Sequence, residues 1–349
     1  MPFCIQRVMP WIQLNVGGKV NFDRKGIRPM KKMLFPLFMA IVVVFTACTP
    51  SVNSEPSSST AENSTQTAVT FTDALGRTVT VDSPKRVATL IGSFADVWCL
   101  AGGKDTLVAS ADDTWTQFDL DLPESVVNLG GVSEPSAETL LAAQPDFVIG
   151  STKTEADVEL MSVMENAGIP IAYFDVSSFS DYLDMLDICT QITGCSERYE
   201  EYGLKVQEQV DAAIASSQGK QGPTVLYLRA TGSSCKVKNS QNTVLGEMLA
   251  DLGCTNIADG DDALLENLSM EAILQADPEC IFIVLQGSNQ EKARQTLEKA
   301  VLSNPAWQQL RAVQNEKCYY MDQQLYNVKP NARWGEAYEN LAEILYGQE

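Results

Sequence analysis

The patterning of this chain predicts an α/β protein of two lobes, each built on a mostly parallel sheet, with one long helix between them. Three observations carry that expectation. Short apolar, β-rich runs alternate with helical ones over residues 87–174 and again after residue 223. Between these halves, about forty residues are apolar at helical spacing and contain no proline. One segment also recurs, once in each half.

The elements follow in order. Phe71 to Val81 reads as a small hairpin with its turn over Ala74 to Gly76. Strands are expected at Val87 to Ile91, Thr106 to Ser110, Phe147 to Gly150 and Ile171 to Phe174, with helices at Ala95 to Ala101 and Ala137 to Ala143. In Ser178 to Ser217, the spacing of Tyr182, Leu183, Leu186 and Ile192 predicts a long helix, or a pair broken near Thr193 and Gly194. Past Gly219 to Pro223, strands are expected at Thr224 to Leu228, Cys280 to Leu285 and Lys317 to Met321, and a last helix at Arg333 to Leu345. The resulting divisions are a first α/β lobe over 69–177, a connecting helix over 178–218 and a second α/β lobe over 219–349.

The recurring segment is Ser136 to Ile149 (SAETLLAAQPDFVI) and, about 130 residues later, Ser269 to Phe282 (SMEAILQADPECIF). In each, a serine can cap a helix start and a glutamate stands two residues on, where the helix dipole favours a carboxylate. Leu or Ile pairs then turn inward, proline stops the helix and a buried strand follows. A helix–strand junction of this sort is common in βα proteins. One copy in each half implies two similar lobes, each presenting one exposed glutamate, Glu138 and Glu271.

The N-terminal region reads as an export signal. Lys31 and Lys32 precede the uncharged 15-residue run Met33 to Ala47, which ends in small residues directly before Cys48. Such a run is short for a membrane span, which needs about 20 apolar residues. The order predicts a lipoprotein signal over 30–47, lipid attachment at Cys48, and a flexible Ser/Thr-rich linker over 48–68. Translation is then expected to start at Met30 or Met33, leaving 1–29 as an extension upstream of the true start.

Composition excludes several chemistries. Of the 25 basic and 45 acidic residues, seven and one precede Cys48; the remaining 18 and 44 give the exported part a net charge of about −26. Such a charge argues against nucleic acid as a partner. Histidine is absent throughout, which removes Ser-His-Asp and Cys-His nucleophiles and the usual zinc sites. Seven cysteines follow Cys48, an odd number with no Cys-x-x-Cys, so neither a disulfide framework nor a zinc clasp is signalled. Asp112-Asp113 and Asp261-Asp262 are poor acid–base pairs, because adjacent side chains point apart. No enzyme is expected.

Several local signatures, in order, then resemble a known family. They are Asp73-Ala-Leu-Gly-Arg77 with Pro84-Lys-Arg-Val87, Gly92-Ser-Phe-Ala-Asp96, Glu138 with Pro145-Asp146, Leu252-Gly253 with Asn256-Ile257, Ser303-Asn-Pro-Ala-Trp307, and Lys329-Pro-Asn-Ala-Arg-Trp334. Over Thr70 to Tyr346 the chain is similar to the substrate-binding lipoproteins of ABC importers for iron-siderophores, haem and cobalamin. The resemblance implies two Rossmann-like lobes of the class III periplasmic-binding-protein fold, with a ligand cleft between them. It also implies one glutamate per lobe, Glu138 and Glu271, docking on arginines of a permease dimer that is served by an ATPase. Attachment to the outer face of the cytoplasmic membrane and a monomeric state are expected with it.

In open α/β sheets, ligands lie beyond the carboxyl ends of the strands. By that rule the expected ligand contacts are Ser93, Phe94, Asp113, Trp115 and Lys153 on the first lobe, and Arg229, Lys236, Gln286 and Tyr326 on the second. Arg229 with nearby lysines suits an anionic ligand such as a ferric siderophore. Relatives with this pattern often carry histidine before Lys-Pro-Asn, where this chain has Asn327, so haem could not take a protein imidazole here. Haem or a corrinoid (cobalamin) is the alternative ligand, and no resident cofactor or protein-held metal is expected. A surface lipoprotein with no small ligand fits the linker but not the repeat.

Overall fold

A computed structural model describes residues 68–347. The expected extension, signal segment, Cys48 and most of the linker lie outside the described residues. Strand β1 (Val69–Thr72) pairs antiparallel with β2 (Thr78–Val81). The turn between them is organised by Asp73, whose carboxylate accepts from the backbone N–H of Leu75 and Arg77, both at 3.0 Å, and from the Arg77 guanidinium at 2.5 Å. Gly76 supplies the positive φ that the turn requires (76°).

The first sheet contains β3 (Val87–Thr89), β4 (Leu107–Ser110), β5 (Val127–Asn128), β6 (Phe147–Ser151) and β7 (Ile171–Phe174), all parallel in the order β5-β4-β3-β6-β7. The second holds β8 (Thr224–Ala230), β9 (Cys235–Lys238), β10 (Thr255–Asn256), β11 (Cys280–Leu285) and β12 (Cys318–Met321). Here β10-β8-β11-β12 run parallel, while β9 lies antiparallel along β8. Strands covered on both faces read as unbroken apolar runs, which is why they were legible. Val225, Tyr227, Cys280, Phe282 and Val284 face one apolar layer; Leu226, Leu228, Ile281, Ile283 and Leu285 face the other.

Two boundaries differ from expectation in ways that matter. Strand β8 continues through Arg229 and Ala230, so Arg229 lies within the ladder rather than beyond it. The first helix begins at Gly92, not Ala95, and so takes in Ser93 and Phe94. Its start is fixed by the Asp113 carboxylate, which accepts from the Gly92 N–H at 2.8 Å. A Cβ on Gly92 would stand 2.7 Å from the Thr114 nitrogen, so only glycine lets these two helix starts meet.

The connecting segment is a pair of helices, the second of the two expected forms. A single rigid helix over 178–218 is not formed. Helix 179–193 opens with a capping box between Ser178 and Asp181 and stops at Gly194, whose φ of 75° ends the helix in the left-handed region. Helical structure resumes at Ser196 and runs to Ser217 through a π-helical turn at 200–204. This second helix packs along the C-terminal helix 334–346.

The two sheets share one apolar cluster. Phe147 and Phe174 of the first, Tyr227 and Phe282 of the second, and Tyr182, Leu186, Val206 and Val210 of the connector belong to it together. A buried amide adds direction. Asn331, fully buried in the second lobe at a positive φ of 52°, donates through Nδ2 to the Ser93 carbonyl and to the Asp96 carboxylate, both at 2.8 Å. Burial raises the Asp96 pKa, and the Asn331 bond works against that rise. Asn331→Ala should therefore destabilise the fold by about 1.5–3 kcal/mol, the range for a hydrogen bond to a charged group. Urea unfolding of variant and parent will test this; an unchanged midpoint would show that the amide does not hold the lobes.

Candidate functional site

Beyond the carboxyl ends of the strands, segments that follow the first sheet's strands meet segments of the second half through side-chain hydrogen bonds. Lys153 Nζ, paired with Asp175 at 3.0 Å, donates to Asn242 Oδ1 at 3.3 Å. Gln117 Oε1 accepts from Gln323 at 3.1 Å and from Gln324 at 2.7 Å. Trp115, beside Gln117 on helix 113–117, is 40% exposed, unusual for so large an apolar group. Gln286 follows β11 half-buried, with its N–H bonded to the Ala230 carbonyl at 2.8 Å.

The second lobe's wall is cationic. Arg229 of β8 lies directly opposite Lys236 of β9, and Tyr227 opposite Lys238. Opposed residues in an antiparallel pair share a face, and like charges set opposite one another destabilise the ladder. Arg229 Nη1 donates to Asn327 Oδ1 at 3.2 Å. Among the described residues, no carboxylate lies within 4.0 Å of Arg229, Lys236 or Lys238.

The first lobe's floor is acidic and receives a lysine from the other lobe. Lys329 directs its ammonium over the buried Phe94 ring, 5.6 Å from the centroid. Burial lowers its pKa, opposed by Asp175, Asp113 and Asp157 and assisted by Lys153. Asp113 is pushed up to about 6, chiefly by burial; the Gly92 N–H opposes that rise and Asp112 adds to it. Asp157, fully buried, accepts from the Ser151 N–H at 2.8 Å through one oxygen, while its Oδ1 has no partner. Burial, with Asp113 adding, lifts it to about 7.

Three expected contacts are not on the rim. Tyr326 is 3% exposed, and its hydroxyl donates to the Ala337 carbonyl at 3.0 Å, so it belongs to the core under the last helix. Phe94 is fully buried edge-on to Phe174. Ser93 is buried, with its carbonyl committed to Asn331. Ser93 and Phe94 are drawn in because the first helix starts at Gly92, and Tyr326 because it closes a short helix, 323–326, that its sequence did not signal. Lys329, Asp157 and Asp175 were not anticipated as neighbours of the site. Only the Lys-Pro-Asn signature pointed at any of them, since their meeting depends on chain segments more than 150 residues apart.

The repeat is reproduced in three dimensions. Ser136 and Ser269 cap helices 137–142 and 270–276, Leu140 and Ile273 are buried beneath them, and Glu138 and Glu271 are exposed. Between each helix and its proline stands a residue of positive φ, Gln144 (51°) or Asp277 (40°). The acid after each proline then secures the start of the neighbouring central strand: Asp146 accepts from the Lys85 and Arg86 N–H groups at 2.8 and 2.9 Å, and Glu279 from the Thr224 N–H at 2.9 Å. The two glutamates thus occupy equivalent places in their lobes.

Asp157 yields a test by pH. A carboxyl whose folded pKa is raised binds more protons folded than unfolded, so its contribution to stability worsens as pH rises from about 4 through about 7. Asp157→Asn keeps an acceptor for the Ser151 N–H and carries no charge. The variant should exceed the parent in stability by roughly 1–4 kcal/mol at pH 8 and lose that advantage near pH 4. Denaturant midpoints at both pH values will decide, and a difference independent of pH would refute the burial of an ionised Asp157.

Comparison with known proteins agrees with this architecture. A structure of the periplasmic haem-binding protein RhuT from Roseiflexus sp. RS-1 superposes with a TM-score of 0.61 at 22% identity, covering 75% of this chain and 98% of that one. Among curated proteins of Bacillus subtilis (strain 168), YhfQ, provisionally named an ABC transporter substrate-binding lipoprotein, is 24% identical over 86% of this chain and 93% of its own length. The Fe(3+)-citrate-binding protein YfmC is 25% identical over 82% and 87%. The sequence model for the periplasmic binding proteins matches residues 87–325. The chain belongs to the periplasmic binding protein family, the solute-binding proteins of ABC importers.

Proposed function

We propose that this chain captures an anionic, oxygen-rich metal chelate of the ferric-siderophore type outside the cytoplasm and delivers it to the permease dimer of an ABC importer. The observation that carries this reading is the cationic pair Arg229 and Lys236, set opposite each other in a ladder with no carboxylate within 4.0 Å among the described residues. Such a pair is unfavourable alone and favourable around an anion. The Fe(3+)-citrate-binding relative points to the same ligand class. The protein acts as a carrier and not as an enzyme, held to the outer face of the cytoplasmic membrane by a lipid on Cys48, with residues 48–68 as its tether.

Arg229→Ala should weaken binding of ferric citrate or a ferric catecholate by about 1.5–3 kcal/mol with little change in fold stability. Cobalamin, which offers no compact anionic face, should be indifferent to the change. Titration followed by the fluorescence of Trp115 and the other tryptophans reads both. Equal affinity of parent and variant for every anionic chelate that binds would shift the assignment to a corrinoid or haem.

Glu138 and Glu271 stand as the permease contacts, one per lobe, away from the cleft. The double charge reversal Glu138→Lys with Glu271→Lys should abolish uptake in cells and leave chelate affinity within about twofold, because exposed side chains outside the pocket rarely alter it. Normal transport by the double variant would refute the docking role. Loss of chelate binding would instead place the cleft wrongly.

A further inference from the structure

Lys238 lies two ladder positions from the Arg229–Lys236 pair, toward the start of β8. It shares their face of the sheet, while Val237 between the two lysines joins the apolar layer on the opposite face. Among the described residues no carboxylate pairs with it within 4.0 Å. Tyr227 of β8 stands opposite it in the register, and the charges that act on it are those of Arg229 on β8 and Lys236 on its own strand. Helix 262–266, which carries Asp262 and Glu266, packs on the other side, with Leu264 in the same layer as Val237. Asp259, on the loop beyond, is already engaged by the N–H and hydroxyl of Ser240, both at 2.8 Å. The strand itself is pinned in place, since Asn256 Nδ2 donates to the Lys238 carbonyl at 3.0 Å. Burial first, and then the charges of Arg229 and Lys236, lower the Lys238 pKa to about 8.

We propose that Lys238 is a ligand-binding residue that completes the anion site as an anionic chelate docks, taking up a proton in the same step. The proposal rests on the anionic-chelate reading given above. The proton comes from solvent and ends on Nζ, and no covalent bond in the ligand changes. An anion set against Arg229 and Lys236 removes the repulsion that holds Lys238 partly neutral, so the ammonium is more stable in the complex than in the free protein. Above about pH 8, a site built this way holds two permanent charges when empty and three when loaded. The sign follows: below about pH 7 Lys238 is protonated in both states and affinity is flat, whereas above about pH 8 each pH unit weakens capture by up to about tenfold.

Calorimetric titration of the full exported protein with ferric citrate, in two buffers of different ionisation enthalpy, reads the proton directly. At pH 8.5 the parent should take up about 0.7 proton per chelate bound, and close to none at pH 6.5. Lys238→Arg keeps a charge that does not titrate in this range. It should bind as the parent does at pH 6.5, lose the uptake at pH 8.5 and lose the fall in affinity above pH 8. Lys238→Met should bind at least about fivefold more weakly at pH 6.5, with circular dichroism and melting temperature checking that it folds. Binding by the parent without proton uptake at pH 8.5, or uptake that persists in Lys238→Arg, overturns the role of Lys238 and leaves the chelate reading standing. Absence of binding to ferric citrate and to a ferric tris-catecholate at both pH values overturns the chelate reading, and this proposal with it.

Discussion

The structure depends on how the second lobe is fastened to the first, and the buried amide of Asn331 is the most directional part of that fastening. Apolar burial is non-directional; it brings both sheets and the connector into one cluster without setting their angle. Asn331 adds two 2.8 Å hydrogen bonds to the start of the first lobe's first helix, at Ser93 and Asp96. That helix start is in turn tied to Asp113 through the Gly92 N–H. The neighbouring Lys329 therefore arrives at one place on the first lobe, over Phe94. Mutual placement of the cleft walls follows from this chain of contacts.

Those walls differ in charge. The first contributes Asp113, Asp157 and Asp175 around Lys153 and Lys329, with two of the carboxyls lifted toward neutrality. The second contributes Arg229, Lys236 and Lys238 on one face of a strand pair. A chain with a formal net charge of −20 repels anions at long range, but salt screens that repulsion over about 8 Å at physiological ionic strength. Close to the strand pair, the three local cations, two of them half-buried, lie nearer to any group that approaches than the distant surface does. Like charges left facing one another across a ladder make the strand pair less stable.

The glutamates belong to a different layer of the design. Glu138 and Glu271 project from short capped helices whose buried Leu140 and Ile273 anchor each turn to its lobe. The adjoining Asp146 and Glu279 lock the same helix–strand junctions to the central strands. A partner that reads both glutamates also reads the distance between lobes, which the shared core and Asn331 hold.

Local patterning determined much of this in advance. Strands Ile171–Phe174 and Cys280–Leu285 stand where their apolar runs placed them, because a strand buried on both faces has no polar position to blur its ends. The paired caps and the break at Gly194 were legible for the same reason: caps and left-handed stops are properties of a few adjacent residues. Arg229 was legible as a charge closing an apolar strand. What the tertiary structure alone decided is which of these groups meet. Helix starts moved to Gly92 because Asp113, 21 residues on, caps it, and Ser93 and Phe94 left the rim with them. Tyr326 turned inward to the Ala337 carbonyl, and Lys329 reached Asp113, Asp157 and Asp175 across the lobes. Side-chain direction at a strand or helix end depends on what packs over it, and that packing comes from segments far away in the chain.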